Sequence, residues 1–208
     1  DHTIIVVGSQ FGDEGKGRII DNKLQQLLKI KGINLAYVVR FQGGANAGHT
    51  VYTDKGIKIP LHQVPSCVNE DRAVGVMDSG MVIHMEDLMH EIVDAENIVG
   101  DLRGKLILSE EAKLVTDLER AEEVLNRGLS EGKSAGGTGR GIRTAYGNDI
   151  LGLGTQVRDL MEDNWKEVYG ARYDRYDKEF VTHGHDLSSM DVPDLRATRD
   201  TKKAQSRK

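Results

Sequence analysis

The stretch Gly8-Ser9-Gln10-Phe11-Gly12-Asp13-Glu14-Gly15-Lys16-Gly17-Arg18 combines repeated glycines with a lysine and two adjacent carboxylates. Glycine lets backbone N–H groups come close to a phosphate, and the N-terminus of a following helix favours negative charge. Lys16 adds a point positive charge for phosphate oxygens. Asp13 is the unexpected member, because an anion repels phosphate unless a cation or a proton comes between them. A carboxylate there is read as a Mg²⁺ ligand or a base. The stretch is not a Walker A loop. Gln10 stands where the first glycine belongs, and Gly17 where a Ser or Thr should follow the lysine. Taken alone, it reads equally well as a glycine-rich turn between a strand and a helix.

A second segment of the same kind is Gln42-Gly43-Gly44-Ala45-Asn46-Ala47-Gly48-His49-Thr50. A histidine beside a phosphate loop can donate a hydrogen bond to developing negative charge. The bland alternative is a surface histidine in a turn, and His62, His84, His90, His183 and His185 all take that reading. A third glycine cluster spans residues 132–141.

The elements around these loops read as an alternation. Residues 3–7, a β-branched run ending at Gly8, predict a buried strand of a parallel sheet. Residues 18–30 carry helically spaced apolar positions, so strand, glycine loop and helix open a phosphate-binding unit. Residues 36–41 predict a second buried strand, and 50–63, with Asp54-Lys55-Gly56 in the middle, a hairpin. Short strands follow at 73–77, 81–84 and 105–108, with helices at 85–93 and 116–129. This pattern predicts an α/β fold with a mainly parallel sheet and flanking helices. Its strands would release the first two loops at their carboxyl edge, where such folds bind ligands. The expected division is a nucleotide- and phosphate-binding domain over 1–160 and a poorly defined polar segment over 161–208.

Composition narrows the class. The chain has 208 residues, 38% hydrophobic and 29% charged, with a net charge of -5. That argues against nucleic-acid binding by bulk electrostatics. A single cysteine, Cys67, excludes an internal disulfide framework and reads as a small semi-buried hydrophobe. No apolar run approaches a membrane span. A soluble, cytoplasmic protein without membrane or nucleic-acid partners is expected.

In order and separation, VVGSQFGDEGKGRIID, RFQGGANAGHT, LHQVPS and GGTGRGIRTAYG resemble the adenylosuccinate synthetase family over roughly residues 3–160. The resemblance implies that family's P-loop-like α/β fold and its activity. The enzymes join L-aspartate to C6 of IMP with hydrolysis of GTP, through a 6-phosphoryl intermediate. They use Mg²⁺, with GTP as co-substrate, and are usually homodimers in purine biosynthesis. Carried over by motif, Asp13, Lys16 and His49 are the expected catalytic residues. Asp13 withdraws the N1 proton of the purine and His49 acts as the acid. Gly12, Asp13, Glu14, Gly15, Lys16, Gly17, Arg18, Gly48, His49 and Thr50 are expected at GTP. Asp13, Glu14, Gly15, Lys16, Asn46, Ala47, Gly48, His49 and Thr138 are expected at IMP. Asp13 and the Gly48 carbonyl are expected at the metal.

The match departs from the family pattern in places. Ala45 stands where a histidine is common, Gly137 where a threonine is, and Arg143-Thr144 where Gly-Pro is usual. No arginine occurs in Leu151-Gly152-Leu153, where one reaching into a partner subunit is expected. Residues 161–208 hold no counterpart to the family's guanine- and aspartate-binding segments. Two other readings follow: a truncated nucleotide-binding domain without turnover, and a phage-type relative acting on a deoxyguanylate, against which the presence of Asp13 argues.

Overall fold

The computed structural model describes residues 3–9, 15–129 and 138–189. Helix α1 (Lys16–Leu27) is followed by strand β1 (Ala36–Arg40), hairpin strands β2 (His49–Tyr52) and β3 (Lys58–Leu61), and strands β4 (Ala73–Met77) and β5 (Val82–Ile83). Helix α2 (Met85–Val99), strands β6 (Leu106–Leu108) and β7 (Lys113–Leu114), and helices α3 (Asp117–Leu129), α4 (Ile142–Ile150) and α5 (Trp165–Thr182) complete the order. Strands β1, β4 and β6 form a parallel sheet in the order β1-β4-β6, and β5 pairs with β7 in parallel. The β2–β3 hairpin is antiparallel, as is an isolated bridge between Lys113 and Gln156. The mainly parallel α/β fold with flanking helices is therefore as the alternation of elements predicted.

Why each element stops where it does is local chemistry. The hairpin turns at Asp54-Lys55-Gly56, with the Gly56 N–H donating to the Thr53 carbonyl at 2.8 Å. Helix α2 runs beyond the expected Val93, because Leu88, Ile92, Ala95 and Val99 prolong its apolar stripe into the main core. It ends at Gly100. Helix α3 begins with a reciprocal cap. The Leu118 N–H donates to Thr116 Oγ1, while the Glu119 carboxylate takes the Thr116 N–H at 2.8 Å.

Two expectations are corrected. Residues 3–8 form no strand, and Ile5 and Val7 are each 73% exposed. A β-branched run becomes a strand only where a neighbour offers a hydrogen-bonding edge and a face to pack on, and here neither is supplied. The polar stretch after Leu160, in contrast, contains α5. Tyr176 and Phe180 are almost wholly buried against Leu118, Ala121 and Leu125 of α3 and against Leu187. Tyr169 joins this cluster at its edge. The buried stripe is three aromatic residues wide, too narrow for its periodicity to stand out in a polar sequence. No helix among the described residues is long and apolar enough to cross a membrane.

The three-stranded sheet is packed on one face. Ala73, Gly75 and Met77 of β4 point into the core, beneath α1 and the main cluster. On the other face Tyr37, Val39 and Ile107 are exposed, although parallel sheets are ordinarily covered on both sides. Val39→Thr and Tyr37→Thr are therefore expected to change unfolding free energy by no more than about 0.5 kcal/mol. They should at the same time reduce binding of a hydrophobic dye. A loss of several degrees in melting temperature would show that this face is already packed in solution.

Candidate active site

Of the first loop, Gly12, Asp13 and Glu14 lie outside the described residues. Its end is in place. Gly15 adopts a left-handed φ of +71° and caps α1 without any side-chain hydrogen bond. The first turn of α1 carries no acidic residue, so nothing in it opposes an anion at the helix N-terminus. Lys16 and Gly17 are half-buried and Arg18 is exposed. Gly17 packs on His49: a Cβ at this position would lie 3.2 Å from the His49 Cβ. The close packing brings the two loops that the sequence singled out to one place.

The second loop leaves the carboxyl end of β1, as expected. Gly44 lies so close to the Val82 carbonyl that a Cβ would sit 2.4 Å from its oxygen, and only glycine fits. The Gly43 carbonyl accepts the Val82 N–H at 2.8 Å, which ties the loop to β5. Asn46 Oδ1 accepts the Gly44 N–H at 3.3 Å and so closes the loop on itself. Ala45 is buried, Ala47, Gly48 and Thr50 are exposed, and His49 opens β2 opposite Leu61.

Beneath this loop lies a polar layer that the sequence reading did not assign. Arg40, the last residue of β1, donates to the His62 carbonyl and, at 3.1 Å, to the Gly44 carbonyl. Glu91 of α2, 2% exposed, accepts the backbone N–H groups of His62 (2.6 Å), Gln63 (3.0 Å) and Val64 (3.0 Å). Burial pushes the Glu91 carboxyl above its usual range despite these donors. The positive Arg40 guanidinium acts the other way. Thus an arginine joins the loop's Gly44 carbonyl to the His62 carbonyl of the following turn, and a carboxylate holds that turn's N–H groups.

His49 sits above this layer. Its Nε2 is buried and has no hydrogen-bond partner among the described residues. Burial first, then the charges of Arg40 and His62, lower its pKa from 6.5 to about 4, although a backbone contact with Val64 opposes them. Without ligand the ring is neutral at pH 7. The unfolded chain then binds a proton that the folded chain refuses between pH 6.5 and 4. This contribution to stability is full above pH 6.5 and is lost as the pH falls towards 4. It amounts to about 3 kcal/mol. Chemical denaturation of the ligand-free chain across that range should show the loss, and His49→Gln should remove most of it. An unchanged pH slope in His49→Gln would refute the assignment.

The third loop enters the described region at Thr138, which is exposed. Helix α4 follows it and packs against the second loop: a Cβ on Gly44 would lie 2.7 Å from Ile142 Cδ1. The Tyr146 hydroxyl accepts the Gly43 N–H at 3.0 Å and donates to the Gly80 carbonyl at 2.6 Å.

Among the described residues no group of three or more His, Cys, Asp or Glu side chains is placed to hold a metal ion. Of the expected metal donors, only the backbone carbonyl of Gly48 lies within them. Cys67 is buried, and burial pushes its thiol up to about 12, which leaves it a packing residue.

Three histidines read as surface residues in turns are not: His62, His84 and His90, the last half-buried within α2. His84 is buried and caps α2, its Nδ1 accepting the Asp87 N–H at 3.3 Å. His62 is half-buried with its Nε2 3.2 Å from where a Gly48 Cβ would be. LHQVPS and RFQGGANAGHT contain His62 and Arg40 and could have pointed to them. Glu91 carries no local signal, since its role comes from a turn 27–29 residues earlier in the chain.

With this geometry in hand, comparison with known proteins is informative. The family model of adenylosuccinate synthetase matches residues 5–204. The chloroplastic adenylosuccinate synthetase of Chlamydomonas reinhardtii is 38% identical over 160 residues, covering 76% of this chain and 33% of the relative. The chain thus spans about a third of the length of such curated relatives. A fully ligated adenylosuccinate synthetase from Plasmodium falciparum superposes with a TM-score of 0.70 at 34% identity, over 87% of this chain and 41% of that one. The cyanophage S-2L succinoaminodeoxyadenylate synthetase, bound to dGMP and dATP, has a TM-score of 0.52 at 21% identity and shares the fold.

Proposed function

The chain belongs to the adenylosuccinate synthetase family, and on that premise we propose that it serves a GTP-dependent ligase joining L-aspartate to C6 of IMP. The observation that carries this reading is the packing of His49 on Gly17. It joins the amino end of α1 to the second glycine loop and leaves at their junction a buried ring nitrogen with no hydrogen-bond partner among the described residues.

In this reading Asp13 takes the N1 proton of IMP, so that O6 becomes the nucleophile. The O6 to γ-phosphorus bond forms as the bond from that phosphorus to the β-phosphate oxygen breaks, and GDP leaves. The aspartate amine then displaces phosphate from C6. Such a transfer depends on positioning and charge neutralisation more than on covalent chemistry by the protein. Lys16 and the N–H groups between Gly12 and Arg18 bind the phosphates of GTP, with Gly48, His49 and Thr50 beside them. Glu14, Gly15, Asn46, Ala47 and Thr138 complete the IMP side. The Asp13 carboxylate and the Gly48 carbonyl would hold Mg²⁺, whose charge offsets that of the phosphates. A few protein oxygens with phosphate oxygens are the donor set this cation prefers. A cytoplasmic homodimer is part of the same proposal.

The test is an assay of the purified chain with GTP, Mg²⁺, IMP and L-aspartate. Formation of adenylosuccinate with GDP, abolished in Asp13→Ala, supports the ligase. Nucleotide binding with no product overturns it for this chain acting alone. That second outcome fits a nucleotide-binding domain without turnover.

A further inference from the structure

The second and third glycine loops come from distant parts of the chain, and a nucleotide held by Asn46 and Thr138 needs them in fixed register. Two side chains supply that register. Glu123 of α3 is 8% exposed. Its Oε1 accepts the Gly139 N–H at 3.2 Å, and its Oε2 accepts the Gly141 N–H at 2.5 Å. One carboxylate therefore takes the first and third of the amides that follow Thr138. Hydrogen bonds from N–H to a charged carboxylate are stronger than neutral ones, and two on one carboxylate also fix direction.

The position is tightly built. Gly141 has a φ of +72° and caps α4. A Cβ on it would lie 2.6 Å from Val115 Cγ2 and 2.9 Å from the Arg120 nitrogen. The loop is thus pressed onto the start of α3 and pinned there by Glu123. From Gly141 the chain enters α4, whose Ile142 packs on Gly44 and whose Tyr146 holds the Gly43 N–H. A continuous path of contacts runs from Glu123 through α4 to the second loop.

We propose that Glu123 is a positioning residue that sets the third loop and, through α4 and Tyr146, keeps the second loop in register with it. Naming IMP as the ligand that senses this register rests on the function proposed above. The mechanical coupling of the loops does not.

The test uses the whole chain with Glu123→Gln, which keeps the shape and removes the charge, and Tyr146→Phe, which removes one hydroxyl. Amide hydrogen exchange at Gly43, Gly139 and Gly141 is measured beside the affinities for IMP and for GTP. Glu123→Gln is expected to speed exchange at all three glycines, and to weaken IMP, by about tenfold. GTP affinity and cooperative thermal unfolding should be almost unchanged, which a general loss of structure would not allow. Tyr146→Phe should speed exchange at Gly43 alone and weaken IMP less. Unchanged exchange at Gly43 in Glu123→Gln overturns the proposal. So does unchanged IMP affinity in that variant when the unsubstituted chain binds IMP. If the unsubstituted chain binds no IMP, the proposed function falls, and the exchange at Gly43 still decides the coupling.

Discussion

Replacing His49 by alanine is expected to slow phosphoryl transfer by about 10²–10⁴-fold, the usual contribution of a positioned acid. The argument starts from burial. The ring is held between Gly17 and the layer of Arg40 and His62, and its pKa in the free protein is about 4. A neutral imidazole has a single N–H to offer. Phosphate anions bound beside it would favour the cation, and so raise that pKa. Ligand binding should therefore be accompanied by proton uptake near neutral pH. The rate should fall as pH rises through the pKa of the bound state, where the imidazolium is lost. Calorimetry in buffers of different ionisation enthalpy measures the uptake, and His49→Ala should abolish it. Equal proton uptake in the variant, or an unaltered rate of GDP formation, would remove His49 from the chemistry.

The second large effect is on stability. Glu91→Ala is expected to lower the unfolding free energy by about 3–5 kcal/mol, the range for removing one partner from a buried charged arrangement. Three consecutive N–H groups, those of His62, Gln63 and Val64, lose their acceptor at once. Arg40 at the same time loses the negative charge that offsets its burial. Gln63 is itself fully buried and bonded to both the N–H and the carbonyl of His84, so the turn cannot swing outward to find water. Glu91→Gln keeps two acceptor lone pairs in place and should cost clearly less. Urea denaturation of both variants gives the comparison. A loss under about 1 kcal/mol in Glu91→Ala would mean that water replaces the carboxylate.

The two predictions join at one place. Glu91 fixes the turn at His62 to Val64, and that turn lies beside His49. A fraction of Glu91→Ala that remains folded should accordingly show a shifted pH dependence for His49.

The candidate loops could be read in the chain order. The glycine segments, Lys16, Asp13 and His49 are local patterns, because phosphate binding by backbone N–H groups needs glycines in a row and a helix directly after them. The parallel α/β class was legible for a similar reason: short apolar runs alternating with helical spacing leave few other arrangements. Residues 3–7 were misjudged because a β-branched run reports only a readiness to be a strand. Helix α5 was missed because only Tyr169, Tyr176 and Phe180 mark its buried side.

The sequence alone thus determined which groups can meet a phosphate and in what order along the chain they stand. The tertiary structure decided which of the described ones lie together. It set Gly17 against His49, drew Arg40 and Glu91 under the second loop, and tied the third loop to α3 through Glu123. The physical reason is that the ties made by Glu91 and Glu123 are long-range hydrogen bonds of single buried side chains to backbone groups. They leave no periodicity and no motif, and exist only once the core has removed water from around them.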